Sequence, residues 1–267
     1  MKSSLISEDF VNIELESSGS VVRVFFNRPR VHNAFNSKMI GELARAFASL
    51  RSRQDVRVIV LTGRGKSFCA GADLNWMREI ISYSLEQNME ESLQIAELMH
   101  AIHICPKPTI AMVNGAAIGG GVGLLSACDI AVASDTAKFG LSEVKIGLVP
   151  AAISPHVVRK IGQNHAHEFF LTGQRMSAAT AREIGLVNRV VAPDALEGEV
   201  NMLVDLLLTS GPEALAKCKE LLQTLPRLDE EEVKQYTARM IAQQRISTEG
   251  QEGMASFLEK RKPKWAE

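Results

Sequence analysis

Residues 109–127 read TIAMVNGAAIGGGVGLLSA, a run that few backbone paths can accommodate. Its first half is β-branched and apolar, led in by the breaker Pro108, and fits a buried strand. Its second half is small and apolar and fits a helix. Gly115, Gly119, Gly120, Gly121 and Gly123 lie between and within the two halves. A strand that passes into a helix through glycines presents free backbone N–H groups at the helix N-terminus. Without Cβ atoms, a ligand can also approach that backbone closely. The stretch therefore suits an anion or oxyanion receptor. It is not a Walker A loop, since no Gly-Lys-Ser/Thr follows. The G-x-G-x-x-G fingerprint fails too: counted from Gly119 its last place holds Leu124, and counted from Gly121 it holds Ser126. Glycine clusters alone read as packing turns, so the surrounding residues have to decide.

A chain of 267 residues suits one large domain or one domain with a helical appendage. The formal net charge of −1 argues against nucleic acid as a main partner. No apolar run is long enough for a bilayer, and MKSSLISEDF lacks the apolar core of a signal peptide, so a cytoplasmic location is expected. Cys69, Cys105, Cys128 and Cys218 are scattered without CxxC pairs, which disfavours a disulfide framework or a zinc site.

Along the chain, Val11, Ile13 and Leu15 alternate with polar residues, as do Val22, Val24 and Phe26, with SSGS between them; this predicts a hairpin. Ser37 is expected to cap a helix whose apolar face is Ile40, Leu43, Phe47 and Leu50. A buried strand at 58–61 leads into a loop at 64–73, then a helix starting near Leu74 and a long one at 85–104. After the glycine stretch come a strand at 129–133 and a loop-like segment at 139–150. Short helices at 156–161, 166–171 and 178–184 each close on a glycine (Gly162, Gly173, Gly185). Helices at 196–208, 212–222, 230–246 and 252–260 complete the chain. The recurring strand–strand–helix theme suggests a spiral of such units. We expect a core over 1–192 and a C-terminal helical region over 193–267.

Two strand-to-turn glycine sites, around Ala72 and around Gly120, can each aim a backbone N–H at one point. Two such donors on a carbonyl oxygen form an oxyanion hole. The missing proton-transfer group is best supplied by Glu143, flanked by Leu141, Val144 and Ile146, where burial would raise its pKa. A capping or salt-bridging acid is the plainer reading of a lone Glu. Nucleophiles are poorly represented. No G-x-S-x-G elbow occurs, and Ser126 falls inside the expected helix. His100 and His103 share a helix face without completing a ligand set, and His165 and His167 receive no role. Cys69 has no basic neighbour in sequence to lower its pKa.

Several segments together resemble the enoyl-CoA hydratase/isomerase (crotonase) family: NRPRVHNAFN at 27–36, IVLTGRGKSFCAGADL at 59–74, KPTIAMVNGAAIGGG at 107–121, CDIAVAS at 128–134, FGLSEVKIGLVP at 139–150 and GMASFLEKRKPKW at 253–265. The resemblance implies an α/β spiral of strand–strand–helix units with a C-terminal helical trimerisation region, assembled as a homotrimer or dimer of trimers. It implies an acyl-CoA thioester substrate and no metal or redox cofactor, the CoA arriving with the substrate. Ala72 and Gly120 N–H groups would hold the thioester oxygen. Ala70, Asp73, Leu74 and Asn75 would border the CoA. Arg30 would lie near its phosphates, with Lys260 adding charge. The hydratases with two acids carry a Glu at the position of Gly123 as well as at Glu143, so here one acid is missing. The glycine segment after the proline also differs, reading PAAISP at 150–155. In GADLNWM, GGGVGLLSACD and LSEVKIGLVPAAISPHVVRKIG the chain is similar to bacterial methylglutaconyl-CoA and carboxygeranoyl-CoA hydratases. We expect Gly123 to leave room for a branched or carboxylated acyl group. The expected reaction is hydration of a 2-enoyl-CoA. The alternatives are a Δ3,Δ2-enoyl-CoA isomerase using Glu143 as single base, or a non-catalytic acyl-CoA or RNA-binding relative.

Overall fold

Each strand–strand–helix unit divides itself between two sheets, and this places the glycine turns. The computed structural model describes residues 10–266. The N-terminal stretch read for a signal-type core lies, over residues 1–9, outside the described residues. Strands β1 (Ile13–Ser18) and β2 (Val21–Phe26) form the expected hairpin. Helix α1 (Ser37–Ser52) follows. Next come β3 (Val58–Gly63), β4 (Ser67–Cys69), α2 (Leu74–Ile80) and α3 (Leu85–His103). The glycine stretch forms β5 (Thr109–Val113), β6 (Ala116–Ile118) and α4 (Gly120–Ala127). A further unit comprises β7 (Ile130–Ser134), β8 (Lys138–Gly140) and α5 (Ser154–Thr172). In three successive units the first strand (β3, β5, β7) joins a six-stranded sheet and the second (β4, β6, β8) joins a four-stranded one. That is the spiral the repetition predicts.

The last strands are β9 (Arg175–Ser177), after which α6 (Ala178–Glu183) leads to β10 (Arg189–Val191). They extend the orders to β1-β2-β3-β5-β7-β10 and β4-β6-β8-β9. Pairing is parallel except at β1·β2 and β8·β9. Helices α7 (Leu196–Leu208), α8 (Pro212–Thr224), α9 (Glu230–Ile246) and α10 (Thr248–Leu258) complete the chain. Among the described residues, no helix is long and apolar enough to cross a membrane.

Alternation along the central strands builds two cores. Ile59 and Leu61 of β3, with Ala111 and Val113 of β5, face α1, α3 and α4. Val58, Val60, Ile110, Met112 and Val132 face the other way and are covered by Leu196, Val200, Leu203 and Val204 of α7. A sheet covered on both sides needs apolar residues on both, which explains the unbroken runs at 58–61 and 109–113. At the far end Asp129 accepts from Lys219 Nζ (2.6 Å), the Thr109 N–H (2.7 Å) and the Thr109 hydroxyl (2.8 Å), tying α8 to the sheet.

Several local expectations need correction. Asn36, not Ser37, caps α1: its side chain accepts from the Met39 N–H at 3.0 Å, while the Ser37 hydroxyl donates to Glu91 at 2.9 Å. The span α5 does contain the two helices expected at 156–171, separated where Gly162 leaves helical geometry at φ 71°, ψ 167°. Helix α10 starts at Thr248 because Ser247 caps it, accepting from the Gly250 N–H at 3.0 Å. The three-residue strands β8, β9 and β10 were not expected, being too short to show an alternation.

The two sheets meet through glycine. A Cβ on Gly115 would overlap the Lys66 carbonyl oxygen, and one on Gly121 would overlap that of Cys69. Both neighbours are backbone and cannot turn away. Gly115→Ala is therefore expected to lower the thermal midpoint by about 5 °C or more. An unchanged melting curve would contradict this close approach.

Candidate active site

Where β4 leaves its sheet, the chain is steered by a bridge to the segment before α1. The Phe35 N–H donates to the Gly71 oxygen (2.8 Å), and the Asp73 N–H donates to the Phe35 oxygen (2.9 Å). In such a parallel bridge the residues flanking Ala72 make the bonds, so Ala72's own N–H points away from Phe35. Gly71 turns the strand at φ 96°.

The second turn lies against the first. Gly119 takes φ 52°, ψ −117°, conformations few other residues tolerate, and its N–H donates to the Gly140 oxygen at 2.8 Å. Gly120 opens α4, so its N–H has no carbonyl one turn back to receive it. A Cβ on Gly71 would stand 3.2 Å from the Ile118 oxygen, and one on Gly120 would strike the Phe35 ring. Residues 69–72 and 118–121 thus lie against each other and share one wall.

Glu143 closes the third side. It begins a 3-10 turn, Glu143–Ile146, directly after β8, and the Leu148 N–H donates to its carbonyl at 3.0 Å. Its Oε1 lies 3.0 Å from where a Cβ on Gly119 would be, so any side chain there would crowd the carboxylate. Its Oε2 is buried with no hydrogen-bond partner. Burial pushes the Glu143 pKa above its ordinary value, against a smaller opposing effect of its own backbone N–H. A capping or salt-bridging acid would have its oxygens engaged. Glu143 does not fit that description.

The other expected residues divide. Asp73 is buried, but Arg28 donates to its Oδ2 at 2.7 Å and the Asn75 N–H donates to Oδ1 at 2.7 Å, so the side chain holds the loop and caps α2. Burial opposes its charge, yet Arg28 and that N–H outweigh it and hold its pKa below the ordinary value. Ala70 is half-buried and donates its N–H to the His32 oxygen at 3.0 Å, while Leu74, Asn75 and Arg30 are exposed. Lys260 follows α10 in a left-handed conformation (φ 54°) and is exposed. It belongs to a tail whose Trp265 oxygen accepts from Arg57 at 2.8 Å, at the opposite end of β3. The space expected at Gly123 is also missing: a Cβ there would lie 2.8 Å from Ile153 Cβ and overlap Ile153 Cγ2. Gly123 is a seat for Ile153, not a cavity.

Arg28, Asn33 and Phe35 were not singled out in the sequence, although all three lie in NRPRVHNAFN. Fully buried Asn33 donates to the Ser67 oxygen (2.7 Å) and the Arg64 oxygen (2.9 Å), and its Oδ1 accepts the Arg28 N–H at 2.9 Å. The sequence signal was an Asn close after Pro29, a residue type that tolerates the left-handed φ of 56° found there. The nucleophile candidates stay inert. Burial pushes the Cys69 thiol up to about 12. His103, desolvated and beside Arg159 and His156, falls to about 3 and remains neutral.

The Arg28–Asp73 pair gives a pH test. Because the folded-state pKa of Asp73 is depressed, its stabilisation is complete above the unfolded value of about 4 and is lost as pH falls through the folded value. Between pH 5 and 3 the wild-type thermal midpoint should fall more steeply than that of Asp73→Asn. Parallel slopes would contradict the pairing.

Comparison with known proteins agrees with this geometry. The profile of the enoyl-CoA hydratase/isomerase family matches residues 16–267. The short-chain-enoyl-CoA hydratase of Clostridium acetobutylicum is 30% identical over 253 residues, covering 94% of this chain and 96% of its own. An enoyl-CoA hydratase of Alternaria alternata, ACTT6, is 39% identical over 209 residues, 78% of this chain and 68% of its own. The crystal structure of an enoyl-CoA hydratase from Shewanella pealeana superposes with a TM-score of 0.94 at 38% identity, covering 96% of this chain and 97% of that one. With the family profile spanning both glycine turns, Glu143 and the C-terminal helices, the chain belongs to the enoyl-CoA hydratase/isomerase family.

Proposed function

We propose that the protein hydrates a 2-enoyl-CoA thioester. The observation that carries this reading is the Glu143 carboxylate, buried with one oxygen unpartnered, pressed against the glycine turn that opens α4. The Ala72 and Gly120 N–H groups receive the thioester oxygen. Glu143 takes a proton from water, whose oxygen bonds to the β-carbon as the double-bond electrons move toward the carbonyl. The resulting enolate is held by the two N–H donors, each worth about 3 kcal/mol where such a donor has been removed. The α-carbon then takes a proton back from Glu143, and water has been added without any other reactant. The backbone of Ala70, Asp73, Leu74 and Asn75 borders the CoA moiety, with exposed Arg30 near its phosphates.

A preference for a branched or carboxylated acyl group, such as 3-methylglutaconyl, rests on sequence motifs alone, because Gly123 offers no cavity. A second reading is Δ3,Δ2-enoyl-CoA isomerisation through Glu143 as single base. It is favoured by the hydrocarbon of Ile153 at the place where a second acid would start. Assembly into a homotrimer or dimer of trimers through the region 193–267 is supported by the exposed apolar side chains of Leu222, Ile246, Phe257 and Leu258.

The test mixes purified protein with crotonyl-CoA, 3-methylglutaconyl-CoA and a 3-enoyl-CoA separately, following the conjugated-thioester absorbance and product mass. Falling absorbance with gain of water is expected. Rising absorbance from the 3-enoyl-CoA without a mass change would make the protein an isomerase. Silence with all three would overturn both readings.

Glu143→Gln should lower kcat by about 10²–10⁴-fold while leaving acyl-CoA binding intact. Because burial raises the folded-state pKa, stability is lost as pH rises from the unfolded value through the folded one, and the full cost is present above it. At neutral pH the Gln variant should therefore melt no lower than wild type. The acid limb of the wild-type kcat/KM profile should lie above the ordinary 4.5 of a glutamate. Full turnover in the variant, or an acid limb at or below 4.5, would remove Glu143 from the role.

A further inference from the structure

The helix face that carries the glycine turn holds a second close contact. Gly119 is the N-cap of α4, and Gly123 lies one turn on, its N–H donating to the Gly119 oxygen at 3.1 Å. The first is pressed by Glu143 and the second by Ile153. A Cβ on Gly123 would also come within 3.3 Å of Met99 Cε, so the seat is closed on two sides. Carboxylate and hydrocarbon thus both press on the first turn of α4.

Both come from one tightly folded segment. The Leu148 N–H returns to the Glu143 oxygen (3.0 Å), the Ala151 N–H to Val149 (2.8 Å) and the Ser154 N–H to Ala151 (3.2 Å). The Ile153 oxygen accepts the N–H groups of His156 (3.1 Å) and Val157 (3.2 Å), fixing it at the head of α5. Ile153 is only 4% exposed. It has no free direction in which to yield.

We infer that Gly123 and Ile153 form a coupled pair that sets how many carboxylates the site contains. Ile153 fills the space in which a side chain at 123 would begin, and it leaves Glu143 as the sole proton-transfer group on this face of α4. The inference rests on the hydration chemistry proposed above. An acid placed at 123 has nowhere to go while Ile153 remains, and removing Ile153 alone supplies no acid. Only the double change converts one arrangement into the other. Ile153 is therefore a positioning residue: it acts by excluding a group, not by touching the reacting atoms.

The experiment compares wild type, Gly123→Glu, Ile153→Gly and the double variant by thermal melting and by turnover of the three thioesters named above. Gly123→Glu should lower the thermal midpoint by about 5 °C or more, from overpacking against a fixed neighbour. The double variant should recover at least half of that loss, a non-additivity expected only of residues in contact. Glu143→Gln is then introduced into the wild-type and double-variant backgrounds. With a second carboxylate present, residual hydration should be about tenfold higher in the double-variant background. A purely structural pair would restore the melting temperature without changing that ratio, and this result would overturn the inference. Additive melting effects would overturn it as well. Wild-type protein silent toward all three thioesters would instead count against the hydratase reading, leaving the melting comparison to decide whether the two residues are coupled.

Discussion

The site depends on backbone meeting backbone without intervening Cβ atoms. Gly115, between β5 and β6, lies on Lys66 just before β4, and Gly121 lies on Cys69, binding the start of α4 to the end of β4. Because these contacts are made by main-chain atoms, the separation of the two turns does not vary with rotamers. The Ala72 and Gly120 N–H groups inherit that rigidity. In the reaction proposed above, donors fixed before a substrate arrives would need no reorganisation as charge develops on its oxygen. The parallel sheets, the bridge from Phe35 and the buried Asn33 all serve to keep this wall in place.

Three buried or half-buried acids show what singles out Glu143. Glu42, 1% exposed, accepts the N–H groups of Asn12 (2.8 Å) and Val11 (3.2 Å) and the Asn12 amide (3.2 Å). Asp73 has Arg28 and the first turn of α2. In both, hydrogen bonds to the carboxyl oxygens offset the burial, and the acid stabilises the fold. Glu143 Oε2 has no such partner. An unpaired buried carboxylate costs stability and gains basicity, the combination expected of a proton-transfer group. The fold tolerates this cost beside the glycine turn that opens α4.

Much of this was legible in the sequence. The runs at 58–61 and 109–113 announced strands covered on both faces, and the glycines at 119–121 announced the turn into α4. Glu143 stood out by its apolar neighbours. Other features depend on contacts between residues distant in sequence. Asp73 reads as a loop acid until Arg28, 45 residues earlier, is seen to hold it. Gly123 reads as open space until Ile153, 30 residues later in the chain, is found to occupy it. Glycine shows where a side chain is absent but not what fills its place. Strands of three residues, such as β9 and β10, carry too little pattern to be seen at all.

The most direct measurement is the infrared carbonyl stretch of an enoyl-CoA thioester, carbon-13 labelled at the carbonyl and bound to the Glu143→Gln variant so that turnover does not intervene. Two backbone donors on the thioester oxygen should move the band to lower frequency than in water. Gly120→Ala should reduce the shift by displacing one donor where the added Cβ strikes Phe35. A bound carbonyl absorbing at its solution frequency would contradict the central claim that the two glycine turns form the oxygen-binding wall of this site.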